Sequence, residues 1–202
     1  MSINASDRTL GLISIWQVLR KLNWEIELIK AIPEKITVGA TPASVLHCQD
    51  AHLYATINAA STSLAMVDWL YHTVSGSSVL TSNIQRVLQG VNLKNNKAFL
   101  LYLRNAFSVI NACHQICNAN KHFHLNTPDD QFKVMVGEII FKNDDGTEDL
   151  TVITQIIQNR NDPDASTSVP EMLEKAAIWW EQLLTDVDLP GREDFFPASS
   201  KR

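Results

Sequence analysis

The residues best suited to chemistry lie near the middle of the chain, in ICNANKHFHL at 116–125, where Asn118, Lys121 and His122 fall within little more than one helical turn. An imidazole titrates near neutral pH and can move a proton, and an amide one turn earlier can orient the ring or share a ligand with it. The Lys121 ammonium beside them suits a phosphate. Upstream, Arg104, Ser108, Asn111, Gln115, Asn118 and His122 recur at i, i+4, i+7, i+11, i+14 and i+18, the spacing of one helix face. Such a polar seam could hold an anionic ligand or RNA along its length and act on it at the histidine end.

Other chemistries fit less well. CHQIC places Cys113 and Cys117 on one helix face near His114, His122 and His124, but zinc needs three or four ligands converging, and His114 is rotated away by about 100°. Both thiols fall on the apolar stripe, where cysteine acts as a small hydrophobe and not as an activated nucleophile. No nucleophile elbow, phosphate-binding glycine loop, dinucleotide fingerprint or His-Glu-x-x-His occurs. No metal and no cofactor are expected.

The seam needs a helix to carry it. Residues 97–125 read as one long helix whose other face, Phe99, Leu103, Ala106, Ile110, Cys113 and Cys117, faces the core, with Leu101, Val109, Ala112 and Ile116 widening the stripe. On a straight helix Arg104 lies about 27 Å from His122, so the two meet only if two chains cross antiparallel near Cys113. A histidine-rich end also suits the negative pole of the helix dipole, so the plain alternative is a solvated or hydrogen-bonded helix face.

Around this element the pattern is helical with one strand pair. Residues 9–32 form a first helix with an apolar arc that includes Trp16, Leu19, Leu22, Trp24 and Leu28, and Pro33 stops it. A connector with Gly39 and Pro42 leads to a second helix over 42–74, capped by Thr41 and rich in Ala, Ser and Thr, so a neighbour can approach closely. Along it Asn58, Ser61, Asp68 and His72 share a side that could face the seam, and Asp68 and His72 are spaced to pair. SGSSVLTS at 75–82 reads as a loop, and 83–91 as a short helix. FKVMVGEIIFK and LTVITQIIQ, separated by an Asp-Gly turn signal, predict a β-hairpin over 132–158. NRNDPDASTS reads as a flexible polar linker. Ser168 and Glu171 form a capping box for a last helix running to about Val187 with Leu173, Ala176, Ala177, Trp180, Leu183 and Leu184 inward.

At 202 residues, 45% apolar and 19% charged, this is a single domain over 1–190 with a flexible tail at 191–202, in which Phe195 and Phe196 could dock. No membrane span or secretory signal is read, so a cytoplasmic location is expected. The net charge of −5 excludes a surface that is basic throughout, but its distribution is uneven. Between Trp69 and Pro128 there is no acid, against Arg86, Lys94, Lys97, Arg104 and Lys121. From Asp129 to Asp164 nine acids face three cations.

A small-residue helix ending in DWLY at 68–71, a long helix closing on Asn118-x-x-Lys121-His122, a β-hairpin and a last helix with Trp179 and Trp180 together resemble bacterial helical proteins of the HEPN-like superfamily, over roughly 43–187. The resemblance implies a mainly α bundle of about five helices with the hairpin before the C-terminal one, often a homodimer. Many such proteins are metal-independent ribonucleases of toxin–antitoxin and defence systems that use Arg-x(4 to 6)-His. There the histidine is acid or base at the ribose 2′-hydroxyl or leaving oxygen, and the arginine stabilises the phosphorane. His122 matches the histidine, but Gln115 stands where the arginine belongs. Two functions follow from the resemblance. One is an RNA-binding or protein-interaction module with a degenerate motif, in which Lys121, Gln115 and Asn111 contact RNA. The other is a ribonuclease using His122 and Asn118 with Arg104 from a partner subunit.

Overall fold

The computed structural model describes residues 11–33, 35–37, 41–121, 132–146, 148–159 and 162–195, and most of its helices begin where a short polar side chain can cap them. Ser14, Thr41, Ser77, Asn95 and Ser168 each accept a hydrogen bond from the third residue onward, opening α1 (Ile15–Ala31), α2 (Pro42–Ser75), α3 (Ser78–Val87), α4 (Asn96–Ala106) and α6 (Val169–Asp186). A further helix, α5 (Ser108–Lys121), follows α4 directly. The protein is mainly α, as expected, with the hairpin in place before the last helix. No helix among the described residues is long and apolar enough to cross a membrane.

The hairpin is β2 (Phe132–Lys142) and β3 (Glu148–Asn159), antiparallel from Phe132↔Asn159 to Lys142↔Glu148. It belongs to a larger sheet. β1 (Lys35–Thr37), in the connector after α1, pairs with β3 at Lys35↔Val152, and β4 (Asp162–Ser168) pairs with it at Ile157↔Thr167. The two short strands share the edge of β3 that β2 leaves open. The flexible linker expected at NRNDPDASTS is therefore corrected: most of it is β4, because a ready ladder partner outweighs polar composition. Pro163 is tolerated there since β4 is itself an edge strand.

Two helix boundaries also differ from expectation. SGSSVLTS is not a loop: Ser77 caps α3, which starts at Ser78, and the Thr81 hydroxyl donates back to the Val74 carbonyl at 2.8 Å. The single helix over 97–125 is two helices, broken at Phe107 with φ −132° and ψ 108°. The break leaves no backbone group stranded. Phe107 N–H donates to Leu103 O at 2.9 Å and its carbonyl accepts from Ile110 and Asn111, closing one helix and opening the next. The extended residue turns the Phe107 ring onto Trp179, 4.6 Å between centroids.

The core runs through all six helices. Trp16, Leu19 and Leu22 of α1, Met66 and Leu70 of α2, Ile84 of α3, Phe99 and Leu103 of α4, Ile110 and Cys113 of α5 and Leu173 and Trp180 of α6 are buried. Trp24, Leu28 and Leu101, expected in apolar arcs, stand out in solvent instead. The C-terminal end of α6 is held by Trp16 Nε1 donating to Leu189 O and Asn83 Nδ2 to Val187 O. A short 3-10 turn, Arg192–Asp194, then brings Phe195 to 6.0 Å from Trp16, and Arg20 donates to the Asp194 carbonyl. Phe195 docks as expected; Phe196 lies outside the described residues.

One polar contact inside this core ties α6 to α2. Trp180 Nε1 of α6 donates to Ser63 Oγ of α2 at 3.0 Å, and the Cys113 thiol of α5 lies beside the same serine. Ser63→Ala strands a buried indole N–H, so chemical denaturation should show a loss of about 1–3 kcal/mol. Ser61→Ala, two residues away on the exposed side, should lose well under that in the same titration.

Candidate functional site

The sulfur row and the polar row lie on opposite sides of α5. Cys113 and Cys117 point to α2, where Ser63 meets the first and Ser61 Oγ lies 3.3 Å from the second. Asn111 and Gln115 are each rotated about 200° from Cys113, and Asn118 about 140°. The helix is nevertheless buried on both sides. Asn111 is 4% exposed and Gln115 6%, while His114 and Asn118 between the two rows are half-buried. Of the plain reading, a solvated or hydrogen-bonded helix face, the solvated form does not describe these two buried amides, whereas the hydrogen-bonded form fits Asn111. Besides α2, the described elements packed on α5 are α4, α6 and β2.

The seam does not continue straight into α4, because the chain turns at Phe107. It is bridged instead: half-buried Arg104 reaches back from α4, and its Nε donates to Asn111 Oδ1 at 3.2 Å. At the other end Asn118 Nδ2 lies 3.0 Å from His114 Nδ1 and 3.3 Å from its Nε2, an i,i+4 contact. His114 therefore belongs to the polar cluster, although the sequence suggested it only as a remote metal ligand. Ser108 is exposed, and Lys121 is the last residue of α5. His122 and His124 lie outside the described residues, as does the geometry of any acid–base step at His122.

Gln115 is the unusual member. Its Nε2 is fully buried and meets no hydrogen-bond acceptor among the described residues. A buried amide donor left unpaired costs on the order of 1–3 kcal/mol, and native proteins keep few of them. Among the described residues no three histidine, cysteine or carboxylate side chains converge as a metal site would require.

Two expectations about neighbouring surfaces are corrected. The antiparallel crossing of two straight helices near Cys113 has no geometric basis, since the helix is broken at Phe107 and Cys113 is wholly buried within its own chain. On α2 only Ser61 of the proposed polar side faces α5; Asn58, Asp68 and His72 are exposed. Asp68 and His72 approach to 3.4 Å with side chains 58% and 67% exposed, a solvated pair worth little, and Asp68 also accepts from Asn96 of α4. From the acid-free stretch, Arg86 donates to the backbone carbonyl of Asp186 at 3.4 Å.

The cysteine side is chemically quiet. Burial pushes the Cys113 thiol up from 9.0 to about 12, against the smaller opposing effect of the Ser63 hydrogen bond. The folded protein thus holds Cys113 as a thiol, while the unfolded chain ionises it above about pH 9. Its contribution to stability is complete below that pH and is lost as pH rises from 9 towards 12, up to about 4 kcal/mol. Denaturation measured across this window should slope downward, and Cys113→Ala should flatten the slope by about one proton.

The amide side predicts the opposite of a structural role. Gln115→Met keeps the side-chain length, removes the orphan donor and should raise stability by about 1–3 kcal/mol in a thermal or urea melt. A loss of stability of that size would mean that Gln115 serves the fold.

The chain was compared with family models, with curated proteins and with solved structures, and none of the three comparisons found a match.

Proposed function

We propose that this chain is a HEPN-like module of bacterial defence or toxin–antitoxin type that binds RNA without cleaving it, through the polar face of α5. The observation that carries this reading is the buried Gln115 Nε2, without an acceptor among the described residues, at the position where the resemblance would place a catalytic arginine. A donor kept unpaired against its own cost is a donor kept for a ligand. An amide can hydrogen-bond a nucleic acid, but it supplies none of the charge that a phosphorane needs. Arg104 does not replace it. Its guanidinium is engaged with Asn111, and from there α5 runs about 15 Å further to Lys121, so the arginine lies far from the histidine end of the seam. Asn111, Gln115 and Asn118 with His114 form the contact surface, and Lys121 at the helix end adds positive charge.

A second reading, a protein-interaction module or homodimer, is favoured by Trp24 at 62% exposure together with Leu46, Tyr54 and Ile178 on the outer faces of α1, α2 and α6. A solution mass well above 22.6 kDa would favour it.

Binding and cleavage separate in one experiment. Labelled single-stranded RNA incubated with the protein should show a rise in fluorescence anisotropy and remain intact on a denaturing gel, for wild type and His122→Ala alike. RNA degraded by wild type and spared by His122→Ala would replace the binding reading with the ribonuclease. No change in anisotropy at any concentration would remove both.

A further inference from the structure

The chemistry of the α5 face also indicates which part of a nucleic acid it contacts. Two buried amides, Asn111 and Gln115, form its floor, and the half-buried His114–Asn118 pair forms its rim. Arg104 has its Nε turned onto Asn111 Oδ1, and neither α4 nor α5 contains a carboxylate that could serve as a competing acceptor. A phosphate brought against this floor would be an anion losing its water beside uncharged groups, which is strongly unfavourable. An unpaired nucleobase is different. It is neutral, its faces are apolar, and its edge carries the ring nitrogens or carbonyl oxygens that the Gln115 Nε2 lacks as a partner.

We infer that the polar face of α5 is a nucleobase-reading site, with the base edge held by Gln115 at the floor and the ligand entering past His114 and Asn118. This rests on the RNA-binding reading given above and adds to it that recognition goes through bases and not through the phosphate backbone. A splayed base of single-stranded RNA and the base of a free nucleotide present the same edge, so both are sources of the ligand.

The two modes of recognition differ in salt dependence and in selectivity. Short homopolymeric RNAs of A, C and U, titrated by fluorescence anisotropy against the full chain at several salt concentrations, should differ in affinity by about tenfold or more between the best and the worst base. The tightest should weaken only modestly with salt. Gln115→Met, which keeps the fold, should weaken the preferred homopolymer about tenfold and erase the discrimination, and Asn118→Ala at the rim should weaken it less. The corresponding free mononucleotides, measured by calorimetry, identify the source: the same base preference at comparable affinity assigns the site to free nucleotides, and preference only in the oligomers assigns it to RNA. Both support base reading. Equal affinities for all homopolymers with a steep salt dependence, unchanged by Gln115→Met, would overturn base reading and leave RNA binding standing. Failure to bind any oligomer or mononucleotide would overturn base reading and RNA binding together.

Discussion

The Ser63 hydroxyl, bonded to the Trp180 indole and beside the Cys113 sulfur, fixes the position on which the remaining architecture depends. It sits among small side chains: Ala59, Ala60 and Thr62 beside it on α2 are buried, so neighbouring helices can approach the α2 backbone closely. Small residues alone would allow a neighbour to rotate or slide. The indole of α6 bonded to the hydroxyl of α2 opposes such a shift, because displacing it leaves a buried donor unmet. The cost of a polar group in the core thus defines the register of α6 on α2. The second cysteine, one turn further along α5, meets Ser61 and repeats the contact closer to the surface.

Fixing one face of α5 fixes the other. With the sulfurs locked onto α2, the amides of Asn111 and Gln115 are carried to the far side, and the packing of α4, α6 and β2 leaves them buried. Asn111 is compensated by Arg104, brought within reach because the chain breaks at Phe107 instead of continuing as a straight helix. Gln115 is not compensated. The same break therefore builds a satisfied half and an unsatisfied half of one polar row. The surrounding core is continuous and contains Trp16, Trp180 and Phe99, all fully buried.

Much of this was legible in the residues. Thr41 and Pro42 opening α2, the Ser168–Glu171 box opening α6, the Asp-Gly signal between β2 and β3 and the inward row of α6 are local devices whose physics lies in the side chains themselves. The features that were not legible depend on partners distant in sequence. Phe107 carries no Gly or Pro signal; what makes an extended residue favourable there is Trp179, on another helix. β1 and β4 have little strand character of their own and exist because β3 offers them an edge. Ser77 looked like one more serine in a loop until α3 had something to pack on. At the candidate site the periodicity correctly put Asn111, Gln115 and Asn118 on one face. It gave no sign that two of them are buried, because a polar residue reads as solvent-facing wherever it falls.

Burial also explains why position 115 holds an amide. An arginine there would place a full charge where the side chain is 6% exposed, and neither α5 itself nor α4 packed on it carries a carboxylate to pair with it. An uncompensated buried cation costs several kcal/mol, more than an orphan amide donor by a wide margin. The neutral glutamine is the most polar group this position can hold without a counter-ion. In an open cleft an arginine is tolerated because water solvates it until the substrate arrives, and the charge then acts on the phosphate. Closing the face of α5 removes that solvent and with it the means to keep a free cation. A buried face and a neutral side chain at position 115 therefore go together, and such a face is suited to neutral ligand edges and not to the stabilisation of a developing anion.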